Sequence, residues 1–277
     1  MEWAKIEVKL PGENKEPLIG FLLSKGIHQW EESDATAIIY LPNDVSLKNF
    51  LLALVEFLFE NIMGRWELAV SQIEERDWAR EWKESFLPRK VGEKLVIKPP
   101  WAEYEEKEGE IVLEIEPRSA FGTGEHPSTR LALILLERYI KKGDLVIDVG
   151  CGSGILSLAS VLLGARKAIG VDIDERAIDE SRENAERLSV SDRTEFIRGN
   201  LLKDIPVVEA DIILCNIDLP SLRNLFSYLP YYLKRGGYLI ASGFTEEGYK
   251  HLEVPEFLEE VEREREGDWL GIVWMMK

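Results

Sequence analysis

The chain is 277 residues long, 45% apolar, and carries a formal net charge of −17. That length exceeds one typical domain, the apolar fraction can fill a core, and no apolar run approaches the ~20 residues of a membrane span, so a soluble two-domain protein is expected. The acidity argues against electrostatic capture of nucleic-acid phosphate and is compatible with a basic protein substrate; with only Cys151 and Cys215 present, a disulfide framework or four-cysteine zinc site is excluded.

The first residues, Met1-Glu2-Trp3-Ala4-Lys5, carry no basic segment followed by an apolar core, so export is not indicated and a cytoplasmic, monomeric protein without a metal is expected. Residues 1–73 alternate strand and helix signals. A strand Trp3 to Leu10, a helix near Lys15 to Ser24, strands near Ile27 to Glu31 and Ala35 to Leu41, a helix Ser46 to Asn61 and a strand Trp66 to Ile73 follow one another. This β-α-β-β-α-β order predicts a ferredoxin-like module. Ser46 is placed to cap the second helix, and Phe50, Leu51, Leu54, Phe57 and Leu58 recur at helical spacing, so they should face the sheet as core. Residues 74–86 carry Trp78 and Trp82 among Glu75, Arg76, Asp77, Arg80 and Lys83, the pattern of a short linking helix that buries one aromatic edge.

Residues 87–277 read as the larger domain. Strand signals Lys94 to Lys98 and Ile111 to Glu116 precede Ala120-Phe121-Gly122-Thr123-Gly124-Glu125-His126-Pro127-Ser128-Thr129. The glycines of that segment could close over a ligand, and Ser128 or Thr129 would cap the helix running to Tyr139. His126, preceding a proline, reads as a backbone-bonding group rather than a general base.

Leu145-Val146-Ile147 and Asp148 then lead through Val149-Gly150-Cys151-Gly152-Ser153-Gly154 into a helix from Ile155 to Leu163: strand, glycine loop, helix. Three glycines let the backbone turn sharply and approach a ligand closely, and the N–H groups opening the helix should favour an anionic group. A dinucleotide fingerprint requires G-x-G-x-x-G, but its last position falls on Ile155, whereas Gly154 completes G-x-G-x-G, so NAD is disfavoured. Eighteen residues after Gly154 a second strand, Ala168-Ile169-Gly170-Val171, ends in Asp172, whose carboxylate can accept two hydrogen bonds from a ribose diol. Loop and acid in that register fit S-adenosylmethionine.

Strands Thr194 to Arg198, Ala210 to Leu214 and Gly237 to Ala241, and a closing antiparallel pair Phe257 to Arg263 and Trp269 to Met276, complete a doubly wound, mostly parallel α/β sheet with helices on both faces. In such a sheet the ligand lies across the carboxyl ends of the strands. That singles out Gly199-Asn200, whose amide could both donate to and accept from an adenine edge, and Cys215-Asn216-Ile217-Asp218, beside the sulfonium. Asn216 and its backbone carbonyl are the groups expected to orient an acceptor nitrogen. Asp218 reads as a solvated loop acid, the alternative being a group that favours a cationic amine or removes its proton. A planar amide or nucleobase acceptor would call for Asn-Pro-Pro and an aromatic ring, but Ile217, Asp218 and Leu219 fill those places.

Phe121-Gly122-Thr123-Gly124-x-His126-Pro127-x-Thr129, the Asp148-x-Gly150-Cys151-Gly152-Ser153-Gly154 loop, Gly170-Val171-Asp172-Ile173-Asp174 and Asn184-Ala185-Glu186 together resemble the bacterial ribosomal protein L11 methyltransferases. The likeness covers nearly the whole chain, including Asp77-Trp78, Glu81-Trp82 and Lys98-Pro99-Pro100-Trp101. It implies a class I methyltransferase sheet of seven strands behind a small N-terminal α+β domain that binds substrate, with a linker that lets that domain move. It also implies S-adenosylmethionine-dependent methylation of lysine side chains and the N-terminal amine of that ribosomal protein, with cofactor contacts at Thr129, Gly150, Asp172 and Asn216. Gly152, Gly154, Asn200, Phe121, Gly122 and Thr123 complete the expected cofactor set. The chain departs from the family at Glu125, where Thr is usual, and at Asn216-Ile217-Asp218-Leu219-Pro220-Ser221-Leu222, where Asn-Ile-Leu and a following Ala-Gly-Pro-Leu are usual. Two other readings stay open: methylation of a different protein or a small-molecule amine, and a non-catalytic cofactor-fold binding module in ribosome assembly.

Overall fold

In the computed structural model of the chain, which describes all residues except 1, 11–14, 28–29, 34–35, 43–44, 63, 75–85, 118–123 and 125, β1 (Glu2–Lys9) alternates from Ala4 onward. Ala4, Ile6 and Val8 are buried while Lys5 and Glu7 are partly exposed and Lys9 fully so, as a strand with one covered face requires. β1 pairs antiparallel with β3 (Thr36–Pro42) and β4 (Glu67–Glu74), and β2 (Glu31–Ser33) pairs with β3, which gives the order β2-β3-β1-β4. Helix α1 (Lys15–Ser24) contributes Leu18 and Leu22, and α2 (Val45–Asn61) contributes Leu54 and Leu58, to a single core with Ile6, Val8 and Ile39. The expected helical stripe is therefore core: Phe50, Leu51 and Phe57 pack on that cluster, and the Phe57 ring stacks on Phe21 at 4.6 Å. Each such leucine contributes about 1.5–3 kcal/mol on leaving water.

Several boundaries differ from expectation, and one of them has a clear local cause. The strand placed near Ile27 starts at Glu31, because the N–H groups of Gly26 and Ile27 turn back to the carbonyls of Leu23 and Leu22 and close the C-terminus of α1. Those amides are then not available to a ladder. The side chain of Ser46 and the linking helix expected to carry Trp78 and Trp82 lie outside the described residues.

The chain divides into two units, Met1–Phe86 and Leu87–Lys277. In the second, β5 (Arg89–Val91), β6 (Leu95–Lys98) and β7 (Ile111–Glu114) form a small sheet, β5 antiparallel and β7 parallel to β6. After α3 (Pro127–Tyr139) come β8 (Leu145–Val149), α4 (Ile155–Leu162), β9 (Lys167–Asp172), α5 (Glu175–Arg187), β10 (Thr194–Arg198) and β11 (Ala210–Asn216). Then follow α6 (Leu219–Leu225), α7 (Leu229–Tyr232), β12 (Leu233–Thr245), α8 (Glu246–Tyr249), β13 (Leu258–Glu266) and β14 (Trp269–Met276).

These strands build a seven-stranded sheet in the order β10-β9-β8-β11-β12-β14-β13, in which β14 alone runs opposite to the rest and so pairs antiparallel with both β12 and β13. This is the class I methyltransferase architecture. Neighbouring residues of β8 serve opposite faces. Val146 joins the cluster containing Leu133 and Leu158, whereas Ile147 and Val149 join the one containing Leu222 and Leu229. Helices therefore cover both faces, and every residue of β8 is buried. From β8 the chain moves to β9 on one side, while β11 flanks the other. The carboxyl ends of β8 and β11 thus mark the switch point at which doubly wound sheets bind ligands. Among the described residues no helix is long and apolar enough to cross a membrane.

Candidate active site

Gly150, Gly152 and Gly154 leave β8 with φ of 74°, 54° and 80°, a left-handed succession that residues with side chains rarely adopt. A Cβ on Gly150 would lie 2.5 Å from Ile217 Cγ2, so glycine there lets the loop rest against the segment that follows β11. The amides of the loop fix it to β9. Gly150 and Cys151 N–H donate to the Val171 carbonyl at 2.8 and 3.0 Å, and Gly152 N–H donates to Asp172 Oδ2 at 2.9 Å. Asp172 Oδ1 accepts the N–H of Asp174 at 3.0 Å. Each carboxylate oxygen keeps a second acceptor direction, enough for the two hydroxyls of a ribose.

One of the amides that open α4 is taken by a carboxyl group of the chain itself. Asp148 is fully buried, and its Oδ2 accepts the N–H of Ser157 at 3.0 Å and the Ser157 hydroxyl at 2.7 Å. Burial pushes the Asp148 carboxyl up to about 7, against the lowering effect of the Ser157 bonds and with repulsion from Asp172 adding to it. A phosphate at this helix end would meet two carboxyl groups. The arrangement of Asp148 and Asp172 suits a ligand that also brings positive charge.

Asn216 ends β11, one residue beyond the pairing of Cys215 with Val149 of β8. Its Nδ2 donates to Thr129 Oγ1, on fully buried Thr129 of α3, at 3.1 Å. Asn216 Oδ1 and Asp148 Oδ1 are both buried without a hydrogen-bond partner. A buried acceptor is rarely left unsatisfied, so Asn216 Oδ1 at the end of β11 calls for a ligand that brings a donor. S-adenosylmethionine carries an ammonium and a sulfonium, and an amine acceptor carries N–H groups, so the residues present fit both.

Sequence reasoning passed over Gly243. It sits where β12 shifts register against β14, between Ser242 and Phe244, with φ of 101°. A Cβ there would lie 2.6 and 2.8 Å from the carbonyl and amide of Ile217 and 3.0 Å from Asn216 Oδ1. The Ile217 N–H donates to the Ser242 carbonyl at 3.1 Å, so this bulge seats the segment bearing Asn216. The available signal was a Ser242-Gly243 pair after the apolar run Tyr238-Leu239-Ile240-Ala241, at the edge where ligands bind.

Thr129, Gly150, Gly152, Asp172 and Asn216 are thus linked through hydrogen bonds and the Gly150–Ile217 contact, and Gly154 opens α4. Asn200 stands apart from that set. The preceding Gly199 N–H reaches the Asp172 carbonyl at 2.8 Å, but Asn200 itself is exposed, its N–H donates to Asp204 at 2.9 Å, and it borders a cleft of about 360 Å³ with Lys203 and Arg223. Phe121, Gly122 and Thr123 lie outside the described residues. The cap of α3 is His126 rather than Ser128 or Thr129, because Pro127 takes the first helical position. His126 Nδ1 accepts the Ser128 N–H at 3.3 Å, and its ring meets the Trp269 ring edge-on at 4.4 Å. Asp218 is exposed, as expected of a solvated acid, and is also a helix cap, accepting the Ser221 N–H at 2.7 Å at the start of α6. Cys151 and Cys215 are buried thiols whose ionisation burial pushes up, the state of inert wall residues.

Residues 3–277 match the profile of the family described as Ribosomal protein L11 methyltransferase (PrmA). A curated relative named Ribosomal protein L11 methyltransferase, from Caldanaerobacter subterraneus subsp. tengcongensis, is 34% identical over 310 residues, spanning 100% of both chains. One of the same name from Desulforamulus reducens is 37% identical over 246 residues, covering 86% of this chain and 78% of the relative. Among solved structures, the ribosomal protein L11 methylase of Lactobacillus delbrueckii subsp. bulgaricus superposes with a TM-score of 0.64 at 27% identity, over 69% of this chain and 98% of that one.

Proposed function

The chain belongs to the ribosomal protein L11 methyltransferase family and uses S-adenosylmethionine as its methyl donor; on that premise we propose that it methylates amine nitrogens of ribosomal protein L11, namely lysine side chains and the N-terminal amine. The observation that carries the amine reading is the buried, partnerless Asn216 Oδ1 at the switch point of the sheet. An amine that enters there brings the donor this oxygen lacks.

Asp172 takes the ribose hydroxyls with the acceptor directions its backbone bonds leave open. Gly150, Gly152 and Gly154 let the main chain run close beneath the cofactor, and Thr129 and Asn216 flank its reacting end. Asn200 serves the adenine side, and Phe121, Gly122 and Thr123 belong to the same cofactor set. The bound cofactor supplies a methyl group already activated by its sulfonium charge, so the protein's task is alignment. Asn216 Oδ1 accepts an N–H from the incoming amine and turns its lone pair toward the methyl. A lysine amine, with a reference pKa of about 10.4, must first lose its proton, and the apolar walls supplied by Ile217 and Cys215 disfavour its charged form. Residues 1–73 serve as the L11-recognition module and 74–86 as a linker to the methyltransferase domain 87–277. The protein acts as a monomer in the cytoplasm, where ribosomal proteins are made.

Peptide mapping of L11 after reaction with the chain and S-adenosylmethionine tests this. Methyl groups are expected on lysine Nζ and the N-terminal nitrogen. Methylation of a small amine but not of L11 would contradict the substrate, and cofactor binding without transfer to either would contradict catalysis.

A further inference from the structure

We propose that Thr129 is a positioning residue that turns the Asn216 amide so that its oxygen faces the methyl acceptor, and that this arrangement selects acceptor nitrogens still carrying hydrogen. The proposal rests on the assignment of Asn216 to the acceptor side of the site.

The amide is held from two directions. On one side Nδ2 donates to Thr129 Oγ1 at 3.1 Å, and Thr129 is immobilised by complete burial in α3. On the other, the oxygen lies so near Gly243 that a Cβ there would stand 3.0 Å from it, and the adjoining Ile217 amide is tied to Ser242 at 3.1 Å. With one N–H of the amide committed to Thr129, the atom of the amide that is buried with no partner is the acceptor oxygen.

The chemistry of attack requires that orientation. An amide N–H turned to the acceptor would bind the amine lone pair, the electrons that must form the new N–C bond. An amide oxygen instead takes an N–H and leaves the lone pair unencumbered. A neutral primary amine has two N–H groups and a secondary amine has one, so either can be gripped while it attacks. A tertiary amine has none, and Thr129 gives it no help. The benefit of Thr129 therefore depends on how many methyl groups the acceptor already carries, which general support of the fold would not produce.

The test compares the full-length wild-type chain with Thr129→Val, which removes the hydroxyl at nearly constant volume, and Thr129→Ser, which retains it. Titration with S-adenosylhomocysteine shows that each preparation forms its site. Single-turnover rates at saturating S-adenosylmethionine are then measured on unmodified L11 and on L11 whose amines have been reductively dimethylated. Because each variant is judged by the ratio of its two rates, loss of folded protein or of cofactor affinity cancels. Thr129→Val should lower the ratio of the rate on unmodified L11 to the rate on dimethylated L11 about tenfold, the worth of one hydrogen bond, and Thr129→Ser should restore that ratio. Equal slowing on both acceptors, or an unchanged ratio in Thr129→Val, would overturn the proposal. Failure of the wild-type chain to methylate either form of L11 would overturn the reading on which it rests, and the proposal with it.

Discussion

Asp148 shows how a single buried carboxyl ties fold to site. Its value is pushed up to about 7 from an ordinary 3.8, chiefly by burial, so the folded chain holds a proton between these values that the unfolded chain has released. The sign follows: stability from this group is full below about pH 4, falls as pH rises toward 7, and is level above. Asp148→Asn keeps an acceptor for Ser157 and removes the titration, so its stability relative to wild type should rise by on the order of 1–4 kcal/mol between pH 4 and pH 8. Thermal unfolding of both proteins across that range checks this; parallel curves would contradict it. At this level the sequence was partly readable. The glycines at 150, 152 and 154 and the acid at 172 announce themselves because their spacing is local and each ends a strand. That Asp148 bonds Ser157, that His126 rather than Ser128 caps α3, and that Asp218 caps α6 depend on which side chain reaches which amide, and composition does not carry that information.

Among the elements, β12 matters most for the site and was least legible. A strand of 13 residues whose register shifts after Ser242 reads in sequence as an ordinary apolar run followed by a glycine. Only the fold reveals that Gly243 faces Ile217 and Asn216 from the neighbouring strand. Gly243→Ala adds a Cβ at positive φ against backbone atoms 2.6 and 2.8 Å away, which forces the Asn216 segment to move. It should destabilise the chain by about 1–3 kcal/mol and lower turnover at saturating cofactor at least tenfold. Unchanged turnover in a folded Gly243→Ala protein would remove Gly243 from the site. The other elements were legible where periodicity is strong. The stripe on α2 and the alternation of β1 each fix one buried face, whereas β2 begins late because the end of α1 captures the amides before it.

Across the whole molecule, the net charge of −17 bears on association rather than on chemistry. Part of the acid is neutralised within the chain: Glu262 and Glu264 of β13 pair with Arg138, and Glu266 pairs with Arg130. The remainder attracts a basic protein, so the KM for L11 should rise several-fold between low and physiological salt while cofactor affinity changes little. A salt-independent KM would mean that recognition is apolar. The alternation of strands and helices beyond Leu145 made the doubly wound sheet legible in sequence, and the resemblance of its motifs extended to the family. What stayed hidden was long-range: the pairing of Asn216 with Thr129 joins residues 87 apart in sequence, which no local pattern reveals. The most direct measurement is intact-protein mass spectrometry of unmethylated L11 after incubation with S-adenosylmethionine and either the wild-type chain or Asn216→Ala, alongside cofactor binding to both. The account predicts methyl-mass increments with wild type, at least tenfold slower accumulation with Asn216→Ala, and a loss of cofactor affinity smaller than the loss of rate. No increments from a wild-type chain that binds the cofactor, or equal rates from both proteins, would contradict it.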